Sequence, residues 1–524
     1  MQIHSLKLHS VTVIAESWRQ TFQGDSARRD DVAVEVRENG SVALSADSTP
    51  VLFLRLRFDH PFHAETQFLG DAWERSYGDL QWRGMDPSRY MPWYFLASAR
   101  GVTEGIGVKV NPAALALWTA DPDGATLWLD VRCGSDGVVL GGRTLEAATV
   151  CHASYAGVSE FDAACAFCAV LSPAPILPKF PVYGGNNWYY AYGKSSRKEI
   201  IGDCGVIASF AEGLENRPFM VVDDGWELAG GNGVDHTPWS EGCAAFPDMP
   251  SLAAEMASHG VRPGIWCRPL FNVDPSLPAE WRISARGPEY LDPSHPEVLK
   301  LVSRDIKRIS DWGFRLIKHD FTTFDVFGLW GFQIVGVPAQ RGYIHLFDRS
   351  KTSAEIIANL YRAIRDAAGP ETLILGCNTI GHIGAGLMHI ARIGDDTSGR
   401  IWERTRRMGV NTLAFRLCQH RHFFDADADC VGFRGDFPME LDMQWAELLA
   451  KSSTAFFASI KPGIATPAEE AALREIFAIA STQKIKAEPL DWMRTTTPQE
   501  WSFDGVRRTF NWQGPDGETP DFAE

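Results

Sequence analysis

Basic residues are in short supply: 50 Lys and Arg against 66 Asp and Glu leave a formal net charge of −16 over 524 residues. A nucleic-acid groove or an anionic membrane face would repel a chain of that sign, so neither is expected as its main partner, and a neutral small ligand fits better. Long hydrophobic runs are missing as well, with none near the roughly 20 apolar residues that span a bilayer. Residues 1–10 carry His4, Lys7 and His9, and the apolar run behind them, 11–15, is shorter than the ~7–15-residue core of an export signal. A cytoplasmic location is the expectation. The ten cysteines form no framework, and the single CxxC, Cys165 to Cys168, has no second pair. Buried thiols in a reducing compartment are expected rather than a disulfide scaffold or a metal knuckle. No GxGxxG follows the first strand of the larger domain, and HExxH, P-loop and GxSxG patterns are missing, so no cofactor and no metal are expected.

What is present begins with size. A chain of this length exceeds the roughly 250–300 residues at which one core stops growing, so a large domain with smaller companions is expected. Eighteen tryptophans supply flat apolar faces with one N–H each, a surface suited to sugars, although most serve as core. Short alternating runs at 32–36, 51–58, 126–131 and 137–140 predict an all-β sandwich over 1–175. Four prolines in 171–181 read as a linker. Beyond it, β-type runs at 182–188, 219–223, 262–268, 315–320, 373–377, 390–393, 412–417 and 456–460 alternate with helical stretches such as 296–312 and 353–368. That rhythm predicts parallel βαβ units and a central (β/α)8 TIM barrel over 176–487 within a multidomain α/β chain, with a doubly wound open sheet as the alternative. Residues 488–524 read as a short C-terminal β segment whose Asp504-Gly505 turn joins strands at 500–503 and 509–512.

The chemically able residues cluster at the predicted strand ends. Alternation turns Lys318 and Asp320 to one side and His319 to the other, so a cation is expected beside Asp320, leaving it an ionised nucleophile or half of a structural ion pair. A metal site from His319, Asp320 and Asp325 is disfavoured by that opposite facing. Asp395 and Asp396 follow Arg392 beyond a second strand. Retaining glycosidases need two carboxyl groups about 5–5.5 Å apart, and this pair supplies a partner for Asp320, although one of the two can instead cap the next helix. Asp223 and Asp224 offer acceptors to neighbouring hydroxyls, or simply a turn before Gly225. Trp188 and Trp266 end two further strands and can wall a pocket. Trp73, in the aromatic cluster of 73–77, Trp82 and 91–94, is expected either to close the pocket or to pack between domains. His382 and His389 read as structural.

In order and spacing these segments resemble glycoside hydrolase family 36, the α-galactosidases, and more distantly family 27. The landmarks are Asp223-Asp224-Gly225-Trp226, Gly264-Ile265-Trp266, Leu316-Ile317-Lys318-His319-Asp320, Leu375-Gly376-Cys377, Arg392-Ile393-Gly394-Asp395-Asp396-Thr397 and the acidic run from Phe424 to Cys430. The resemblance implies a retaining exo-α-galactosidase acting on small-molecule or oligosaccharide α-galactosides, with Asp320 as nucleophile and Asp396 as acid/base. It places Asp223, Asp224, Lys318, Arg392, Trp188, Trp266 and Cys377 around the sugar. As a general acid, Asp396 is expected to have a pKa raised by its neighbouring carboxylates and partial burial. α-N-Acetylgalactosaminidase activity, transfer to a sugar acceptor, and a non-catalytic carbohydrate-binding role are the alternatives, the last disfavoured by the presence of both carboxylates. The short C-terminal segment and the Asn186-Asn187-Trp188 sequence depart from the family pattern and leave the exact sugar and any homo-oligomer open.

Overall fold

The computed structural model describes residues 2–3, 6–228, 238–338, 344–482, 485–514 and 517. Among them no helix is long and apolar enough to cross a membrane. The N-terminal part holds two antiparallel sheets. The larger runs Ser26–Arg29, Val32–Val36, Ser41–Ser45, Thr144–Ala156, Val102–Val108, Tyr94–Ala99, Gln67–Gly70, with Gln2–Ile3 added to Thr144–Ala156; the smaller runs Arg19–Gln23, Lys7–Ala15, Val51–Asp59, Gly124–Asp130, Leu115–Asp121, Met91–Pro92. Period-2 burial shows in Val51–Asp59, where Leu54, Leu56 and Phe58 are buried and Arg55 and Arg57 are not. The inner faces meet in a sandwich core, with the rings of Phe95 and Trp118, one from each sheet, edge-to-face at 6.0 Å.

Two expectations for this region are corrected. Residues 137–140 make only an isolated bridge, Val138 to Val51. The region also ends in a helix, Glu160–Leu171, begun by Ser159, whose hydroxyl accepts from Asp162 N at 3.1 Å. Its Phe167 lies so close to Gly105 that a Cβ there would stand 2.3 Å from the ring. Cys165 and Cys168 are free thiols on this helix.

The second part is a nine-stranded parallel sheet in the order Asp425–Asp427, Ile390–Arg392, Leu373–Gly376, Leu316–His319, Arg262–Cys267, Phe219–Val222, Tyr183–Asn186, Phe456–Ile460, Val431–Phe433. Tyr183–Asn186 pairs with both Phe219–Val222 and Phe456–Ile460. A parallel bridge between Asp427 and Ala455 brings the far edge back to the segment entering Phe456–Ile460. Helices including Arg197–Phe210, Met249–Ser258, Pro296–Asp311, Ser353–Ala368, Met439–Lys451 and Pro467–Ala480 connect the strands, as parallel pairing requires.

One expected strand is wrong. Thr412–Arg416 is helical, inside a helical run that starts at Trp402. All five of its residues are buried, so no alternation distinguishes strand from helix there. The strand in that place is Asp425–Asp427, whose two aspartates carry poor β propensity. Arg416 instead pairs with Asp71 at 2.8 Å, clamping the helix to the N-terminal part.

At the C-terminus Ala487–Pro489, Glu500–Phe503 and Val506–Thr509 form a small sheet. Asp504 and Gly505 both take positive φ, 49° and 85°, as a two-residue hairpin loop demands. The returning strand is therefore 506–509 rather than 509–512. Trp512 packs on Trp402 and accepts its Nε1–H at 2.7 Å through the backbone carbonyl.

Candidate active site

The C-terminal ends of the parallel strands converge on one recess, lined by Asp223, Asp320 and Asp396 among others. Asp320 follows Leu316–His319, and its carboxylate faces donors only: Oδ1 accepts from Phe321 N at 2.7 Å and Asn378 N at 3.0 Å, Oδ2 from Trp266 Nε1 at 3.2 Å. Phe321 holds φ at 61°, an uncommon value for a bulky residue, which turns its N–H onto the carboxylate. Trp266 ends Arg262–Cys267 and is almost wholly buried, so its ring is a wall that also orients Asp320.

The cation expected beside Asp320 shares the recess with it but makes its ion pair elsewhere. Lys318 Nζ donates to Asp223 Oδ2 at 2.8 Å, and Asn186 Nδ2 donates to the same oxygen at 2.6 Å. Burial pulls the ammonium toward neutrality, but Asp223 more than reverses this and holds the Lys318 pKa well above the ordinary lysine value. Asp223 is also fixed through its backbone, its N–H donating to Asn187 Oδ1 at 2.9 Å. Its neighbour Asp224 is different: burial, the nearby Glu227 and Asp223 itself push its carboxyl up to about 8. Gly225 makes the following turn at φ 106°, and a Cβ there would lie 2.5 Å from Gly193 O.

On the opposite rim Arg392 Nη2 reaches Asp396 Oδ1 at 2.9 Å and Asp429 Oδ2 at 2.5 Å. Arg75 Nη1 approaches Asp396 Oδ1 at 3.3 Å. Burial tends to raise the Asp396 pKa, yet Arg392 and Arg75, with Lys318 and Arg404 behind them, outweigh it and hold the group below the usual carboxylate value. The expectation of a raised pKa is therefore overturned: burial acts in the expected direction, but Arg392 and Arg75 outweigh it. Its side chain remains 41% exposed, against 12% for Asp395, which Arg75 and Arg404 clasp at 2.8 and 2.7 Å outside the recess. Of the adjacent pair, Asp396 faces the pocket and Asp395 is a structural anchor.

Of the remaining expected residues, Trp188 lines the recess from the short helix Trp188–Ala191. Cys377 does not: it is 1% exposed, with its Sγ 3.6 Å from Arg392 Nη1, too deep to meet a ligand. Trp73 does not either. Its Nε1 donates to Gly336 O at 2.8 Å and its ring stands edge-on to Trp93 at 5.1 Å, a packed contact between the two parts of the chain. His319 is fully buried against Tyr361, its pKa lowered by burial to about 4, while Asp325 pairs with Arg268 at 2.6 Å; these two and Asp320 do not converge on a metal. His382 stacks on Trp93, and His389 Nδ1 accepts from Ile374 N, both structural as expected.

Asp429 and Arg75 are charged neighbours of Arg392 and Asp396 that sequence reasoning passed over. Asp429 accepts from Arg392, from Thr397 N at 2.7 Å and from the Tyr189 hydroxyl, so it sets the guanidinium that sets Asp396. Its signal was the acidic run 425–429, which does not say which acid turns inward. Arg75 arrives because Ser76 N donates to Ile393 O at 2.9 Å and Asp395 N donates to Ser76 O at 2.8 Å, stitching a loop of the N-terminal part onto a strand end. A lone arginine among aromatics carries no mark of that.

No protein-family model matches the chain. Among solved structures the fold is similar to that of the α-galactosidase TtGalA from Thermus thermophilus, solved with p-nitrophenyl α-D-galactopyranoside, at TM-score 0.60 and 18% identity over 93% of this chain and 99% of that one. The GH36 α-galactosidase AgaA from Geobacillus stearothermophilus, in complex with 1-deoxygalactonojirimycin, is similar at TM-score 0.60 and 14% identity over 94% and 71%. A GH31 sulfoquinovosidase from E. rectale is similar at TM-score 0.50 and 11% identity over 96% and 89%. At these identities the likeness is one of fold.

Proposed function

We propose that this protein is a retaining, exo-acting α-galactosidase of the family 36 type, with a (β/α)8 barrel over 176–487 between an N-terminal β-sandwich domain at 1–175 and a short β segment at 488–524. The observation that carries the reading is that Asp320 and Asp396 line one recess in opposite settings, the first held by N–H donors, the second half-exposed between two guanidinium groups. Solved neighbours of the same fold include an α-galactosidase crystallised with a galactoside, which supports the same substrate class.

In this mechanism Asp223 and Asp224 receive the sugar hydroxyls at the closed end, and Trp188 and Trp266 flank the ring. Asp320 attacks the anomeric carbon; the glycosidic C–O bond breaks, its electron pair going to the leaving oxygen, which takes the proton of Asp396. A covalent glycosyl-enzyme results. Asp396, now a carboxylate, removes a proton from water, whose oxygen displaces Asp320 and regenerates both groups. Because Arg392 and Arg75 depress the pKa of Asp396, its proton must be loaded at acidic pH.

The test is hydrolysis of 4-nitrophenyl α-galactoside followed by NMR of the first-formed sugar, with and without added acceptor sugars. The α-anomer of galactose is expected, and its formation is lost in Asp320→Ala. First release of the β-anomer, or unchanged turnover by Asp320→Ala, overturns the mechanism, and products dominated by new glycosides would assign the transfer reaction instead.

A further inference from the structure

The two N-terminal sheets bring two imidazoles and a carboxylate together well away from the parallel sheet. Glu104 lies on Val102–Val108 and His152 on Thr144–Ala156, and the register pairs Glu104 with Ser154 and Ile106 with His152. Glu104 and His152 are thus diagonal neighbours, turned by alternation onto the same face. His60 comes from the other sheet, one residue beyond Val51–Asp59. Its Nε2 stands 2.9 Å from Glu104 Oε2, and Nε2 of His152 stands 3.5 Å from Glu104 Oε1. One ligand atom from each of the three residues lies within 4.8 Å of the others.

We propose that His60, Glu104 and His152 form a binding site for a divalent transition metal, with Zn²⁺ the ion of choice, that ties the two sheets of the sandwich together. Zinc takes imidazole nitrogen and carboxylate oxygen at about 2.0–2.2 Å, so three donors round a tetrahedral ion sit about 3.5 Å apart. The His152–Glu104 separation of 3.5 Å already matches, while His60 stands at 2.9 Å from the other carboxylate oxygen, so closing on one ion needs side-chain rotation. Two imidazoles select zinc and its transition-metal neighbours over Ca²⁺ and Mg²⁺, which prefer all-oxygen sets. His60 and Glu104 side chains are 20% and 27% exposed while His152 is 5% exposed, so the cluster opens on one side and leaves a fourth position to water.

A metal here spans elements that meet only through side chains, which makes thermal stability the natural readout. None of the three residues lines the candidate active site. A hydrogen-bonded cluster without metal affinity would show stability that varies with pH but not with zinc.

The experiment uses the full chain stripped with EDTA and desalted, titrated with ZnCl₂ by calorimetry at pH 7.5, with CaCl₂ as control and CoCl₂ as a spectroscopic probe. One strong zinc equivalent is expected, with a Tm that rises by a few degrees at saturation and visible absorption from four-coordinate cobalt. Removal of a ligand in His60→Ala or Glu104→Gln should weaken the strong event about 100-fold and abolish the cobalt bands. His60→Ala, at the more exposed corner, serves where Glu104→Gln fails to fold. The ten free cysteines can also bind zinc, so the comparison with the variants decides. Binding that is unchanged in folded His60→Ala, or no strong zinc uptake by the parent, overturns the site.

Discussion

Lys318 Nζ lies 2.8 Å from Asp223 Oδ2, on the strand two places away, rather than against Asp320, two residues along its own chain. The pair is deeply buried, with side chains 10% and 4% exposed. Lys318→Met should therefore leave an uncompensated buried carboxylate and cost about 3–5 kcal/mol of stability. Lys318→Met combined with Asp223→Asn should cost less than the sum of the single changes. Urea denaturation of the double-mutant cycle measures the coupling, and strict additivity would show that the pair does not interact.

The two roles assigned to the pocket carboxylates separate by leaving group. Asp320→Ala should lose turnover on every glycoside. Asp396→Ala should lose about 10²–10⁴-fold on alkyl or sugar leaving groups, where protonation matters, and much less on 4-nitrophenyl. Asp395→Ala should instead lower Tm, because it unpairs Arg75 and Arg404, while keeping the parent's ratio between the two substrate types. A leaving-group dependence in Asp395→Ala in place of Asp396→Ala would exchange their roles.

Arg392 and Arg75 hold the Asp396 pKa below the usual value. A general acid with a depressed pKa loses its proton as pH rises through that value, so kcat/KM on poor leaving groups should fall toward neutral pH. Arg75→Met removes one cation and should move this alkaline limb to higher pH, whereas Arg75→Lys should leave it nearly in place. A limb that stays put in Arg75→Met would mean that another group titrates.

Asp224, pushed up to about 8, behaves oppositely. Folding takes up a proton at this residue between its ordinary value of 3.8 and about 8, so stability falls as pH rises across that window, and the full penalty applies above it. Asp224→Asn should flatten the Tm profile there. Ionisation beside Asp223 and Glu227 should also raise KM above about pH 8, and Glu227→Gln, which removes one of the raising neighbours, should shift that rise to lower pH. A site that bonds an axial 4-hydroxyl can reject its epimer by about 10⁴-fold. The galactoside-to-glucoside ratio should accordingly fall in Asp223→Asn, and a parent that prefers the glucoside would refute the assignment of this acidic pair.

Trp73 is packed rather than poised at the pocket. Trp73→Ala should cost about 3–5 kcal/mol through the cavity it leaves, with KM for 4-nitrophenyl α-galactoside close to the parent value. A raised KM at unchanged Tm would return Trp73 to the sugar site.

Much of this was legible before the structure, because parallel βαβ units write themselves as short apolar runs followed by chemically active residues. Seven of the eight expected runs coincide with strands of the parallel sheet, and Asp223, Asp320 and Asp396 stand just past three of them. The one failure, Thr412–Arg416, is instructive: full burial erases periodicity, and a strand made of Asp425, Ala426 and Asp427 has no propensity to announce it.

Sequence alone therefore determined seven strands of the parallel sheet and the acids that follow them, since apolar runs, turn residues and strand-end position are local properties of the chain. Only the tertiary structure decided the partners: that Lys318 serves Asp223, that Arg75 crosses from the N-terminal part to depress Asp396, and that His60 meets Glu104 and His152. Electrostatic partnership depends on distances of a few ångströms between residues that stand 44 to 321 positions apart in the chain, and folding alone sets those distances.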